Sequence, residues 1–301
     1  MKKLGKITVI IVILLFFGAG TYAGYVYSQA ETTVNSNMHS PVTSIDHEET
    51  KKKVEDKETI NILLMGVDER EGDRGRSDTL LVASVQPSKE KTNMISIPRD
   101  TRTVLGGNEP ESGRMDKINH AYAFGGVDMA VDTVETFMDM ELDYYVRINM
   151  EGLVELVDAV NGVTVTNDRA FTQGGIEFPE GEIDLSGNEA LEYARMRKND
   201  PNGDLGRNER QREVIKGVVD KAASFSSVSK IQGILDVLGG NVTTNADFDT
   251  MKMLFQDYRK SGQNIDTYQM KGSGVTIDGI YYMQMPDEEI AKAKSLITPG
   301  S

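Results

Sequence analysis

The 301 residues contain no cysteine, no tryptophan and only three histidines. Without cysteine there is no disulfide framework, no thiolate metal site and no cysteine nucleophile, although the redox compartment stays open. Positive charge is also scarce: 33 Lys and Arg face 47 Asp and Glu, a formal net charge of −14. That balance argues against a general nucleic-acid binder, which needs a basic footprint to displace counterions from phosphate. His39 and His47 fall in a polar stretch near the N-terminus, so His120 is the only histidine of the main body. One histidine gives no His/Cys cluster for zinc and argues against a Ser-His-Asp hydrolase, and no G-x-S-x-G occurs. What remains is ordinary for a globular protein, at 39% hydrophobic and 27% charged residues. The length suffices for one large domain or two small ones.

One long apolar run is present. From Ile7 to Tyr27 no charged residue occurs, and Lys2, Lys3 and Lys6 precede the run. About 20 such residues cross a bilayer, and flanking positive charge stays on the cytoplasmic side. The expectation is a cytoplasmic tail over 1–6, a transmembrane anchor over 7–27 and an extracytoplasmic remainder. A cleaved signal peptide is the alternative, but its apolar core is usually only about 7–15 residues. From 28 to 58 the composition turns to Thr, Ser, Asn, Glu and Lys, with acidic neighbours cancelling Lys51, Lys52 and Lys53. This reads as a flexible, solvated linker with a span of roughly 30 Å.

The folded domain is expected over 59–298. Ile60–Val67, Thr79–Val85 and Asn93–Ile97 are short apolar runs that read as buried strands, with 86–91 a hairpin-type connection. Helical spacing follows over Val127–Met138 and Gly152–Val160, with strands expected at Tyr144–Ile148 and Val163–Thr166, and helices over Arg207–Ala223, Asp247–Arg259 and Asp287–Leu296. Strands alternating with helices predict an α/β domain with a mixed central sheet covered on both faces.

If the first three strands are successively antiparallel, the end of the first, the start of the second and the end of the third share one sheet edge. That edge gathers Asp68, Arg70, Arg76, Asp78, Arg99 and Asp100. A carboxylate pair, Asp68 and Asp78, accompanied by arginines suits Mg²⁺ bridging protein to phosphate, with Mn²⁺ the alternative ion. A second dense segment, 193–212, carries six basic residues (Arg195, Arg197, Lys198, Arg207, Arg210, Arg212) against Asp200, Asp204 and Glu209. Arg195 and Arg197 alternate with Ala194 and Met196, which in an extended stretch sends both guanidinium groups to one face. Asp204 is expected to cap the following helix, where Arg207 and Gln211, four apart, face an anion near its N-terminus.

Gly66-Val-Asp68, Arg76-Ser-Asp78-Thr79, Ser96-Ile-Pro-Arg99-Asp100-Thr101, Lys117-Ile-Asn-His-Ala-Tyr122, Tyr193-Ala-Arg195-Met-Arg197, Asp200-Pro and Gly203-Asp-Leu-Gly-Arg207-x-x-Arg210-Gln211 together resemble the LytR-CpsA-Psr family. The resemblance runs from about Ile60 to about Lys221. It implies a three-layer α/β/α sandwich with a groove for a prenyl chain, preceded by a single N-terminal transmembrane helix. It implies a Mg²⁺-dependent phosphotransferase moving an anionic glycopolymer, of the wall teichoic acid type, from a polyprenyl diphosphate carrier to the muramic-acid 6-hydroxyl of peptidoglycan. Such enzymes act in Gram-positive envelopes, anchored in the membrane. Asp68 and Asp78 would hold the metal; Arg76, Arg99, Arg195, Arg197, Arg207 and Gln211 would bind diphosphate, with Asp78, Arg99 and Arg76 at the reacting group. Lys117, Arg210, Asp200 and Asp204 are secondary candidates. No general base is evident: Asp78 is a poor one while it ligates metal, and Asp100 and Asp200 lack support. The alternatives are a polyprenyl-diphosphate-glycan pyrophosphohydrolase and a non-catalytic envelope regulator. Neither the polymer transferred nor the oligomeric state is written in the sequence.

Overall fold

The computed structural model describes residues 27–69, 75–198, 200–223 and 240–297. The apolar run before Tyr27 and Arg70 lie outside them. Among the described residues, no helix is long and apolar enough to cross a membrane.

The strands are β1 (Ile60–Val67), β2 (Ser77–Gln86), β3 (Lys91–Ser96), β4 (Arg102–Val104), β5 (Met115–Lys117), β6 (Tyr144–Asn149), β7 (Val163–Asn167), β8 (Phe171–Gln173), β9 (Ile176–Phe178), β10 (Gly181–Leu185), β11 (Val242–Thr244), β12 (Ile265–Gln269), β13 (Ser273–Ile277) and β14 (Ile280–Gln284). Six of them form a central sheet in the order β11-β6-β1-β2-β3-β12. It is mixed as expected: β1 with β2 and β2 with β3 are antiparallel, while β1 with β6 and β3 with β12 are parallel. Polar Gln86 and Lys91 close the β2–β3 hairpin through a turn over Pro87–Lys89, with Glu90 at φ 48°. The strand expected at 163–166 forms, but pairs with β10 in a separate ribbon.

Residues 27–33 are helical (α1). The other helices are α2 (His47–Glu55), α3 (His120–Met138), α4 (Met150–Ala159), α5 (Gly187–Arg195), α6 (Asp204–Ala223), α7 (Phe248–Met253) and α8 (Asp287–Ile297). Strand periodicity of two divides the sheet's side chains between two helical covers. Leu63, Met65, Val67, Leu80 and Val82 join the main core with Val131, Val134 and Met138 of α3 and Ala293 and Ile297 of α8. Leu64, Gly66, Val146 and Ile148 face the opposite cover, which α4, α5 and α6 provide. Behind that cover, Val157, Val163, Val165, Phe178, Leu185, Tyr193 and Val214 form a second cluster that fixes α5 and α6 to the β7–β10 ribbon.

The segment 28–58, expected to be a solvated linker, is packed over most of its length. Ala30, Val34 and Met38 are buried, and the last two contact Val242 of β11. His39 bridges to Thr244, the Tyr145 hydroxyl donates to the Ser40 carbonyl at 2.7 Å, and Val42 and Ile45 enter the main core. Asp46 caps α2 by accepting from the backbone N–H groups of Glu48 and Glu49. Val54 is wholly buried against Ile60, Tyr144 and Tyr258. The physical reason is spacing: Ala30, Val34 and Met38 recur every four residues, a stripe narrow enough to vanish in an average over polar neighbours.

Lys53 illustrates the correction. Its ammonium lies 2.9 Å from Asp143, whose side chain is only 2% exposed, and Asp143 also accepts from Asn61 N–H at 2.7 Å. Burial pushes the Asp143 carboxyl above its ordinary value, against the pull of Lys53 and that N–H. Lys53→Ala leaves the carboxylate buried without its cation. The expected loss is on the order of 2–3 kcal/mol, at the low end for a broken buried pair because Lys53 keeps some solvent contact. Urea unfolding measures it, and an unchanged midpoint would return residues 47–55 to the status of a tether.

Candidate functional site

The antiparallel hairpins bring the ends of β1 and β3 and the start of β2 to one edge. Val67 is opposite Ser77, and Ile97 N–H bonds the Leu80 carbonyl, so Asp68, Asp78 and Arg99 emerge side by side. Asp68 N–H bonds the Arg76 carbonyl at 3.2 Å. Gly75, at φ 72°, makes this closure: a Cβ there would lie 2.1 Å from the Asp68 carbonyl oxygen.

Arg99 donates to Asp78 at 2.6 Å through Nη1. Its Nε lies 3.8 Å from Asp204 Oδ1 and 4.0 Å from Asp100. Asp204 is the first residue of α6; its carboxylate turns to arginines. Arg207 Nη2 stands 2.7 Å and Arg197 Nε 3.5 Å from the same Oδ1. Three guanidinium groups from three segments thus surround one carboxylate oxygen. Yet Arg99 Nε, Arg207 Nε and Nη2, and Asp204 Oδ1 are buried with no hydrogen-bond partner of acceptable geometry among the described residues. Buried donors left this way cost free energy unless a ligand supplies acceptors. Burial, and then the cations Arg99 and Arg197, hold Arg207 below its ordinary pKa against Asp204 and Asp78. For Arg99 burial also pulls downward, but Asp78, Asp204 and Asp100 outweigh it and hold it above. An added anion beside Arg207 relieves both its burial and its like-charged neighbours.

Other expected site residues fall in different places. Lys117 pairs with Asp100 at 2.7 Å and joins the site's rim. Arg76, two residues before Asp78 in the chain, is exposed. Arg195 is the last residue of α5, not part of an extended stretch, and its exposed guanidinium pairs with Glu192 at 3.5 Å. Helix rotation, about 100° per residue, removes the alternation with Arg197 expected of a strand. Arg210 points away from the cluster: it donates to Asp200 at 2.7 Å and to the carbonyls of Tyr193 and Met196. Arg210 and Asp200 therefore brace the α5–α6 turn. A Cβ at Gly206 would lie 2.0 Å from Asp200 Oδ2, which is why the turn carries glycine there.

Gln211, one turn after Arg207, opens onto an apolar cavity of about 290 Å³. Its wall comprises Leu64, Val146, Ile148, Leu153, Leu156 and the α6 series Val214, Ile215, Val218 and Val219; Thr79 and Gln211 are its polar members. The 211, 214, 215, 218, 219 spacing is a helical stripe legible in the sequence, although its facing a void is not. Sequence reasoning also missed two polar clusters. Tyr122 and Arg147 both meet Glu69, and burial followed by Glu69 pushes the Tyr122 hydroxyl up to about 12. Arg212 is buried, donating to Ser96 Oγ at 2.8 Å and Gln269 Oε1 at 2.7 Å, and locks α6 to β3 and β12.

The donor set suits a hard cation sharing oxygens with phosphate. Asp68, just after β1, and Asp78 of β2, which is bonded to Arg99, are carboxylates at one sheet edge, although no cluster of three or more His, Cys, Asp or Glu occurs among the described residues. One or two carboxylates are what Mg²⁺ takes when phosphate and water complete its shell.

The sequence model of the LytR_cpsA_psr family matches residues 24–297. The polyisoprenyl-teichoic acid–peptidoglycan teichoic acid transferase TagU of Bacillus subtilis (strain 168) is 44% identical over 291 residues, spanning 96% of this chain and 94% of its own length. Among solved structures, TagT bound to LIIa-WTA is 31% identical with a TM-score of 0.67, over 80% of this chain and 90% of that one. A protein from Enterococcus faecalis described as a transcriptional regulator is 40% identical with a TM-score of 0.73, over 81% and 88%.

Proposed function

We propose that this chain, which belongs to the LytR_cpsA_psr family, transfers a teichoic-acid-type polymer from a polyprenyl diphosphate carrier to a hydroxyl of peptidoglycan. The observation that carries the reading is the junction of a cationic cluster with an apolar cavity through Arg207 and Gln211 on successive turns of α6. A ligand with a diphosphate head and a hydrocarbon tail matches that polarity, and the related TagU is named for such a transfer.

In the reaction the acceptor hydroxyl gives its proton to solvent as its oxygen forms a bond to the polymer-linked phosphorus, the bridging P–O bond breaks, and prenyl phosphate leaves with both bridge electrons. Catalysis of such a step is mainly alignment and charge neutralisation. Arg99, Arg197 and Arg207 bind the phosphate oxygens, and Arg207 and Arg99 offer the buried donors that need acceptors. Asp78 orients Arg99; Lys117 and Asp100 steady the rim. Arg76 and Arg195, both exposed, meet the polymer side. Mg²⁺, when held by Asp68 and Asp78, supplies further charge neutralisation at the phosphates.

The same reading has the anchor over 7–27 cross the membrane with the domain outside. Tyr27 then stands at the interface. Its ring packs edge-on to Phe248 at 5.1 Å, so the domain is held close to the bilayer instead of at the end of a long tether.

The test is incubation of the full chain in detergent with Mg²⁺, a lipid-diphosphate-linked polymer and nascent peptidoglycan, followed by mass analysis of the muramic phosphodiester. The phosphodiester is expected, and chelation is expected to suppress it. Free polymer alone would mean a pyrophosphohydrolase, and an unaltered donor would favour a regulator.

A further inference from the structure

The hairpin β4–β5 carries an outward face that the site described above does not use. Arg102 is opposite Lys117 and Val104 opposite Met115, so the four share one side of the ribbon, while Thr103 and Asp116 turn inward and are buried. Val104 is 38% and Met115 43% exposed. Buried Tyr282 of β14 backs the same end, with Arg102 5.9 Å and Lys117 5.8 Å from its ring centre. Arg102 makes no ion pair among the described residues beyond this ring contact. Phe124, also exposed, extends the surface under Arg114 at 5.5 Å.

This face is continuous with the reaction centre. Lys117 bonds Asp100, Asp100 stands beside Arg99, and Arg99 bonds Asp78. Met283 N–H bonds the Asp100 carbonyl at 2.8 Å, which ties the β14 strand to the same point. It also lies on the α3 side of the sheet, since Leu105 and Ile118, which flank the ribbon, enter the α3 core. The apolar cavity is on the other side, between the sheet and α6. In-line displacement requires the nucleophile to approach opposite the leaving group. With the prenyl phosphate leaving toward the cavity, the acceptor must come from the ribbon side.

We infer that the outer face of β4–β5, with Arg102, Val104 and Met115 and the adjoining exposed Phe124, is the docking surface for the acceptor glycan strand of peptidoglycan. Apolar and aromatic side chains suit the C–H faces of amino-sugar rings. Arg102 supplies a planar fork for a carboxylate of a peptide stem, whereas Arg114 is already paired with Glu111 at 3.0 Å and Asp116 at 3.1 Å. The donor's carrier end is committed to the cavity on the opposite side of the sheet. The inference rests on the transferase reading for the direction of attack.

The test uses the full chain in detergent micelles with Arg102→Ala/Met115→Ser. Both side chains are at the surface, and thermal melting checks that the fold is kept. Co-sedimentation with polymer-free peptidoglycan sacculi is expected to weaken by roughly tenfold, equivalent to about 1.4 kcal/mol. The KM for a soluble peptidoglycan fragment rises in parallel, while the donor KM stays within about twofold and the rate at saturating acceptor is kept. Arg102→Lys, with Met115 intact, keeps the charge but not the fork and retains only part of the binding. Unchanged sacculus binding, or a rise confined to the donor KM, overturns the assignment. If the parent chain binds sacculi through this face but transfers nothing, the surface stands and the transferase reading falls.

Discussion

Replacing Arg207 with alanine is expected to lower polymer transfer by about 10²–10³-fold, with most of the loss in the rate at saturating donor. That is the typical effect of removing one preorganised donor from a site where charge develops. Arg207 is placed for this: its side chain is 8% exposed, its Nε and Nη2 make no well-aligned hydrogen bond among the described residues although Nη2 is ion-paired with Asp204, and burial has lowered its pKa. Those donors are already desolvated, so no reorganisation is needed when the phosphate oxygens gain charge. Arg207→Lys keeps a charge but loses the fork and should recover only part of the rate. Arg195→Ala is the informative comparison. Because Arg195 is exposed and paired with Glu192, its loss should be about tenfold at most. Single-turnover rates of the three purified variants, with circular dichroism to confirm the fold, decide it. Equal losses for Arg195 and Arg207 would contradict the cluster geometry.

Filling the apolar cavity should separate tail recognition from chemistry. Ile215→Trp projects from α6 into the space of about 290 Å³ bounded by Leu64, Val146 and Leu156. A tail excluded from contact with about three methylenes loses about 2.4 kcal/mol, or roughly 50-fold in affinity. The KM for a long-chain polyprenyl donor should rise by that factor, whereas a donor with a short, water-soluble prenyl chain should be unaffected. A void already present accepts the larger ring with less strain than a filled core would. If long and short donors suffer alike, the cavity is not the tail site.

Much of this site could be read from the chain because it depends on strand order. Once Ile60–Val67, Thr79–Val85 and Asn93–Ile97 are taken as successive antiparallel strands, Asp68, Asp78 and Arg99 must meet at one edge, and they do. The Arg207–Gln211 spacing likewise follows from the helical repeat. Arg195 was misplaced because alternation with Ala194 and Met196 suits a strand, while the capping box of Ser186 and Glu189 starts a helix that runs through Arg195. Arg210 has the same charge and nearly the same address as Arg207. Only packing against Asp200, Tyr193 and Met196 makes it a brace.

By itself, then, the sequence determined the absence of thiol chemistry, the mixed α/β class, the carboxylate–arginine edge and the family. These rest on residue type and on periods of two and 3.6, which are local properties. The tertiary structure decided which arginines converge on Asp204, that residues 28–58 pack against the domain, and that a cavity lies beneath Gln211. Those outcomes depend on contacts between residues far apart in the chain, such as Val34 with Val242 and Lys53 with Asp143, whose burial no local average contains.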